Sequence, residues 1–213
     1  MQLPFNAQVY YDRQRRERLV ANLDARFSKR RSGIHVSDLT MCIRQAAFRR
    51  LHPRPLTERD LSFFSAGRGH HDLLESIYGA EREVRREWNG ITANYDLLDS
   101  VPVELKTSRS FWRHVQPHWI RQLGFYCAIE NVNVGGLIVL WLFPNRLAKE
   151  DGMIETYSVE FPNIEQIRDD LQERRDLLSK ALESQNVMVA PRVTEPSDRW
   201  LCNNCPYTKE CGR

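Results

Sequence analysis

The apolar positions of this chain repeat with two different spacings. Spacings of three and four residues predict amphipathic helices, at Tyr10–Arg31, Asp38–Leu51 (capped by Ser37), Leu61–Tyr78, His118–Glu130 and Ile164–Ser184. Alternating apolar residues predict strands, at Glu81–Trp88, Ile91–Leu98, Val101–Thr107, Gly135–Phe143 and Met153–Phe161. Helices interspersed with strands in this order indicate an α/β fold.

The strand Val101–Thr107 carries the first candidate chemistry. Successive side chains of a strand point to opposite faces, so Glu104 and Lys106 share one face. The turn Asp99-Ser100 makes a hairpin with the preceding strand, which would bring Asp96 toward Glu104. Two neighbouring carboxylates repel unless a cation lies between them, so the pair predicts a Mg²⁺ or Mn²⁺ site. The alternatives are an exposed salt-bridged strand and a turn role for Asp96.

Two predicted helices add polar residues to this strand pair. His71 and Glu75 are four residues apart and therefore share a helix face. His118, Gln122 and Tyr126 recur at the same spacing on the helix that follows the Glu104 strand.

The order of these residues resembles the RecB-like branch of the PD-(D/E)XK nucleases. The resemblance runs from about Ser65 to Tyr126 and implies a restriction-endonuclease-like core, a mixed central sheet flanked by helices. It also implies roles for the matching positions. The metal ligands would be His71, Asp96, Glu104 and the Leu105 backbone carbonyl. Lys106 would be the catalytic lysine, with Gln122 and Tyr126 supporting the site and contacting DNA.

Charge is distributed unevenly along the 213 residues. Residues 1–60 contain 13 Lys and Arg against 6 Asp and Glu, although the whole chain has a net charge of only +3. A basic segment suits a polyanionic partner, although a solvated helix face is the commoner meaning. Basic and aromatic residues also interleave beside the predicted metal site. We expect Arg109, Trp112, Arg113 and His118 to contact single-stranded DNA, with a helix-packing loop as the alternative.

The cysteines suggest a second metal site. Cys202, Cys205 and Cys211 cluster near the end of the chain, and Cys42 is available as a fourth ligand. Four thiolates fit structural Zn²⁺ or an iron–sulfur cluster by count. One distant cysteine with three clustered ones favours the cluster over zinc. Cys127 lies among apolar residues and is expected in the core.

One early cysteine, the nuclease core and three late cysteines together resemble the CRISPR-associated Cas-four nucleases. The segment His35–Arg44 is also similar to the start of that family. The resemblance implies a [4Fe-4S] cluster, or less often [2Fe-2S], that joins an N-terminal helical segment to a C-terminal tail. The chain is then divided into a basic helical segment (1–60), a nuclease core (61–185) and an iron–sulfur tail (186–213).

The same resemblance implies a function. The expected protein is a metal-dependent exonuclease that degrades single-stranded DNA, with 5′ to 3′ polarity, and trims prespacers beside CRISPR integrase proteins. A flap or junction endonuclease and a DNA-end-binding subunit of an integration complex are the alternatives. No apolar run approaches twenty residues, and we see no signal peptide, so a cytoplasmic protein without a membrane contact is expected. A homo-oligomer is left open.

Overall fold

The computed structural model describes residues 11–29, 31–78, 81–108, 114–142, 154–193, 200–203 and 205–212, except the side chains of residues 81–83. Within these ranges the chain forms seven helices, which are α1 (Arg13–Phe27), α2 (Val36–Leu39), α3 (Ile43–Leu51), α4 (Glu58–Tyr78), α5 (Pro117–Glu130), α6 (Ile164–Glu183) and α7 (Trp200–Asn203). The strands are β1 (Ile34–His35), β2 (Glu81–Trp88), β3 (Ile91–Leu98), β4 (Pro102–Ser108), β5 (Val134–Trp141) and β6 (Ile154–Glu160).

The strands form one mixed sheet, and the predicted α/β fold class is confirmed. The order is β1-β3-β4-β5-β6, and β2, which lies outside this order, also pairs with β3. Strands β4 and β5 are parallel, whereas the β3–β4 and β5–β6 pairs are antiparallel. A parallel pair needs a crossover connection, and α5 lies in the one between β4 and β5. Among the described strands β2 pairs with β3 only, which makes it an edge strand.

Strands β3 and β4 separate soon after the turn that joins them. They pair only at Leu97–Val103 and Leu98–Pro102. Strand β4 then follows β5 in register as far as Ser108. Asp96 therefore lies where the two strands part, at a position in which its side chain can reach the backbone of β4.

Helix α5 packs tightly against β5, and Gly135 makes the close approach. A Cβ atom on Gly135 would lie 2.7 Å from Cys127 Sγ and 2.8 Å from Leu123 Cδ1. Both side chains are fully buried with Leu137 and Trp141 in the core between helix and sheet. The expectation that Cys127 is a core residue is confirmed. This packing fixes the face of α5 that carries Gln122 and Tyr126.

The predicted helix Asp38–Leu51 is wrong as a single element, because the chain breaks between α2 and α3. Cys42 has an extended backbone (φ −76°, ψ 117°) and is the N-cap residue of α3. Ser37 lies inside α2, whose N-cap is His35. The carbonyls exposed by the break accept hydrogen bonds from distant arginines. These are Arg121 to Thr40 O (3.0 Å) and Arg174 to Leu39 O (3.1 Å) and Met41 O (3.0 Å).

Strands β2 and β3 form with the predicted bounds, and the other predicted elements form with shifted ends. Helix α1 begins at Arg13, where the Asp12 side chain accepts from the Arg15 N–H at 2.9 Å, rather than at Tyr10. The short strand β1 was not predicted; it pairs in parallel with the first residues of β3. None of the helices in the described ranges has the length and apolar character needed to span a bilayer.

Candidate active site

The hairpin of β3 and β4 brings its two acidic residues to the point where the strands separate. Asp96 Oδ2 accepts a hydrogen bond from the Leu105 N–H at 2.9 Å. Leu105 itself points into the core and is fully buried, which turns Glu104 and Lys106 to the opposite face. The aspartate therefore continues the hydrogen bonding of the sheet after the strands part.

A chain of hydrogen bonds joins β4 to helix α5 and back to β3. Lys106 Nζ donates to Glu104 Oε1 and, at 3.1 Å, to Gln122 Oε1. Gln122 Nε2 donates to the Tyr126 hydroxyl at 3.0 Å, which donates to the Asn94 carbonyl at 2.9 Å. The structure thus brings together the lysine and the two predicted support residues, and each holds the next in place.

Helix α4 contributes two more polar side chains to the same place. Ligand atoms of His71, Glu75 and Asp96 lie within 4.8 Å of one another. His71 Nδ1 is 3.5 Å from Asp96 Oδ1. Glu75 is buried although it is acidic. Glu75 was not among the predicted ligands, although its spacing of four from His71 is the signal that could have included it.

The His71–Asp96 contact shifts both groups toward their charged forms. Burial lowers the pKa of His71, but the hydrogen bond and the negative charge of Asp96 outweigh it, so that pKa lies above its ordinary value. Burial likewise raises the pKa of Asp96, and His71, Lys106 and the Leu105 N–H outweigh it in the other direction. A divalent cation would compete with a proton for the imidazole.

Glu104 is an acidic residue whose charged form is disfavoured by burial. Its side chain is only 1% exposed. Burial raises the pKa of Glu104 to about 7, with Lys106 opposing this shift and Asp96 adding to it. Its Oε2 atom is buried and has no hydrogen-bond partner among the described residues. A buried carboxylate oxygen without a donor is costly, and a cation would satisfy it.

The donor set fits a hard divalent cation. Carboxylate oxygens and an imidazole nitrogen suit Mg²⁺ or Mn²⁺, which prefer oxygen ligands and accept histidine less often. The donors present are His71, Glu75, Asp96 and the partnerless oxygen of Glu104.

A cavity of about 480 Å³ opens onto this group. Its wall includes the site residues Glu75, Asp96, Gln122 and Tyr126 together with Arg31, His35, Ser37, Arg68, Arg85 and Asn94. Its arginines come from three separate segments of the chain, and Arg68 lies one helical turn before His71 on α4. These arginines are far apart in the sequence, and nothing local in it marks them as neighbours.

The four predicted cluster cysteines line a second cavity. Cys42, Cys202, Cys205 and Cys211 face it together with Gln45 and Arg192. Burial raises the pKa of the Cys42 thiol. Cys42 comes from the break before α3 and the other cysteines come from the tail. The cavity is therefore lined by an N-terminal segment and by the C-terminal tail of the chain.

Donors from α3 point at two of these sulfurs. Gln45 Nε2 lies 3.5 Å from Cys205 Sγ and Arg44 Nη1 lies 3.9 Å from Cys211 Sγ. Arg44 Nε also donates to the Ala190 carbonyl at 2.8 Å. N–H donors of this kind stabilise thiolates, which are the form that binds metal.

Of the four residues predicted to contact DNA, only His118 lies in the described part of the chain. Arg109, Trp112 and Arg113 lie outside the described residues. His118 lies in the first turn of α5, one turn before Gln122, and its ring centroid is 5.4 Å from that of Trp200.

The fold defines a class of α/β protein with a mixed sheet and a polar site where β3 and β4 separate, to which both strands and the helices α4 and α5 contribute side chains. The crystal structure of SSO0001 has the same architecture. It is 22% identical, aligns over 95% of this chain and 98% of its own, and has a TM-score of 0.61. This likeness shows the fold.

Two further solved structures are similar at lower TM-scores. A phage related exonuclease from Haemophilus somnus 129PT is 15% identical, covers 72% of this chain and 96% of its own, and has a TM-score of 0.48. An alkaline exonuclease from Laribacter hongkongensis is 13% identical, covers 78% and 95%, and has a TM-score of 0.49. No protein-family model matches the sequence, and no curated protein matches it significantly.

Proposed function

We propose that this protein is a metal-dependent nuclease that hydrolyses phosphodiester bonds in DNA. The observation that carries the proposal is the contact between the buried Glu104 and the half-buried Lys106, beside the group of His71, Glu75 and Asp96. A lysine and several metal-ligand candidates on one side of a split hairpin suit charge stabilisation at a phosphate.

One set of residues would bind the metal ion, and a second set would position the catalytic lysine. His71, Asp96 and Glu104 would hold Mg²⁺ or Mn²⁺ with the Leu105 carbonyl, and Glu75 would add a further oxygen. The bound cation would neutralise charge on the phosphate and lower the pKa of water. Lys106 would donate to the phosphate as negative charge grows on it. Gln122 and Tyr126 would keep the lysine ammonium in place.

The 480 Å³ cavity supports a polyanionic substrate. Arg31, Arg68 and Arg85 all contribute to its wall. Guanidinium groups bind phosphate oxygens in a forked geometry. The excess of basic residues in the first 60 positions adds a longer-range attraction for nucleic acid.

The finer proposals rest on the resemblance to Cas-four nucleases. We propose a cytoplasmic exonuclease that acts on single-stranded DNA from the 5′ end and processes prespacers alongside CRISPR integrase proteins. The basic segment (1–60), nuclease core (61–185) and tail (186–213) would be its parts. Arg109, Trp112, Arg113 and His118 would contact the strand.

We propose further that the four cysteines hold an iron–sulfur cluster, of the [4Fe-4S] type, rather than zinc. All four line one cavity. Among the described residues, no three of these sulfurs lie within 4.8 Å of one another. Tetrahedral zinc with bonds near 2.3 Å would bring sulfurs to about 3.8 Å. A cluster would tie α3 to the tail.

The test is degradation of end-labelled linear single-stranded DNA in Mn²⁺. Wild type should cleave, and Lys106→Ala should be slower by about 100-fold or more, because a charge stabiliser is lost. Lys180→Ala, which changes a lysine of α6, is the matched control and should cleave as wild type does. The position of the label reports polarity.

Other outcomes separate the alternatives. Cleavage of a circular single strand, which has no ends, would replace the exonuclease with an endonuclease. Binding of DNA ends without turnover in either Mn²⁺ or Mg²⁺ would favour the DNA-end-binding subunit. Full activity in Lys106→Ala would refute the assignment of the site.

A further inference from the structure

Trp200 of the tail meets the helix that carries part of the candidate active site. It is the first residue of α7, two positions before Cys202. Its ring centroid lies 5.4 Å from that of His118, with the planes inclined by 44°. His118 in turn contacts Trp119 edge-on, at 5.8 Å. A ring from the cysteine tail thus contacts the first turn of α5.

This contact lies close to the proposed reaction centre. His118 and Gln122 are four residues apart, so they share a face of α5 and are about 6 Å apart along it. Gln122 accepts a hydrogen bond from Lys106. The Trp200–His118 pair is therefore within one or two nucleotide lengths of the lysine.

The exposure of Trp200 distinguishes it from its aromatic neighbours. Trp119 and Trp141, which continue the same row of rings, are 8% and 0% exposed. Trp200 remains 39% exposed. A tryptophan that served only to pack the tail would gain from complete burial. The open part of the indole is instead available to a flat partner.

We propose that Trp200 and His118 form an aromatic contact for an unpaired base of the substrate strand. Aromatic side chains beside a basic groove stack on bases of single strands without sequence preference. The proposal rests on the nuclease function proposed above and assigns a base contact for the single-stranded substrate to two named side chains. Since Trp200 belongs to the cysteine tail, the tail would supply a substrate contact as well as a structural tie.

The test compares binding and cleavage in three variants of the full chain. Fluorescence anisotropy with a labelled oligo-dT in Ca²⁺ gives the Kd, and cleavage in Mn²⁺ gives KM and kcat. Trp200→Ala should weaken oligo-dT binding by about 5- to 50-fold, because one stacking contact is lost. It should raise KM more than it lowers kcat. Trp200→Phe should restore most of the affinity, and Trp200→Leu should not.

The matched control is Met188→Ala, which removes an exposed side chain near the same tail. It should bind oligo-dT as wild type does. The inference is overturned if Trp200→Ala keeps wild-type affinity, or if Trp200→Leu restores binding as well as Trp200→Phe, since apolar packing alone would then explain the residue. If wild type binds oligo-dT without cleaving it, the proposed nuclease function is refuted. The oligo-dT affinities of the Trp200 variants would still decide whether Trp200 stacks on a base.

Discussion

At the scale of the residue, Glu104 is the carboxyl group, among the described residues, whose ionised form the fold disfavours. It is buried next to Asp96, and only one of its oxygens meets the Lys106 ammonium. Its raised pKa means that the metal-free protein holds a proton on Glu104 more tightly than the unfolded chain does. The group proposed to bind the cation is therefore the group that weakens the metal-free fold when it ionises.

This conflict predicts an unusual pH dependence of stability without metal. The folded pKa of Glu104 is about 7 against 4.5 in the unfolded chain. Its favourable contribution is therefore complete below pH 4.5 and is lost as pH rises through 7. Glu104→Gln removes this slope. The free energy of unfolding of Glu104→Gln relative to wild type should rise by roughly 3 kcal/mol between pH 4.5 and 8.

Urea unfolding in EDTA across that pH range measures the difference. Glu173→Gln, on the exposed side of α6, is the matched control. Adding Mn²⁺ at pH 8 should stabilise wild type more than Glu104→Gln, because the variant lacks a ligand oxygen. A difference between variant and wild type that does not change with pH would show that Glu104 ionises normally in the fold.

At the scale of the element, the break between α2 and α3 places Cys42 where the tail can reach it. Two of the carbonyls that the break exposes accept from one guanidinium group, that of Arg174 on α6. Arg174 is itself held by Asp170 at 2.8 Å. The bend in the N-terminal segment thus depends on a helix that begins more than a hundred residues later.

Replacing Arg174 should therefore destabilise the fold more than replacing an exposed arginine. Arg174→Met leaves two partly buried carbonyls without their charged donor and should cost about 2–4 kcal/mol. Arg13→Met is the control, because among the described residues Arg13 pairs with Glu17 on the exposed surface, and this change should cost less than about 1 kcal/mol. Denaturant unfolding of both variants gives the comparison. Equal losses would mean that the carbonyls find other partners.

The same break shows which parts of this fold a sequence can predict. Alternating residues located the strands β2 to β6, because a half-buried strand repeats every two residues. The break was missed, since residues 40–42 contain neither glycine nor proline and the donors that satisfy it lie far away in sequence. Strand β1 was missed because two residues give no period.

The same distinction applies to the residues of the candidate site. His71, Asp96, Glu104 and Lys106 could be proposed from local spacing and from their order along the chain, and the structure places them side by side. The arginines of the cavity and the contact of Trp200 with His118 depend on the fold alone. Glu75 is intermediate between residues that the sequence indicates and residues that only the fold brings together. Its spacing from His71 can be read from the sequence, but its burial cannot.

At the scale of the whole molecule, the cysteine cavity connects residues 160 positions apart in the sequence. A link of that length between Cys42 and the tail removes much of the conformational freedom of the unfolded chain. For a simple cross-link the expected stabilisation is of order 5 kcal/mol. The two outer segments would then hold each other against the sheet.

This connection predicts the effect of removing one thiol. Cys42→Ala should lose the absorbance near 400 nm that an iron–sulfur cluster gives, together with several kcal/mol of stability. Cys127→Ala is the control; it changes a buried core cysteine and should keep the absorbance. Iron content and urea unfolding of both variants measure these outcomes. Cys42→Ala with full iron content would contradict the proposed ligand set.

The distance between Cys42 and the other three cysteines also has a consequence during protein synthesis. Cys42 leaves the ribosome 160 residues ahead of Cys202. At 5–20 residues per second, it waits about 8–30 s for the first of its partners. The segment between them can fold in that interval, before Cys42 has the other three ligands of the proposed cluster. If the finished chain holds that cluster, oxidative stress during synthesis would damage this protein more than the same stress applied afterwards.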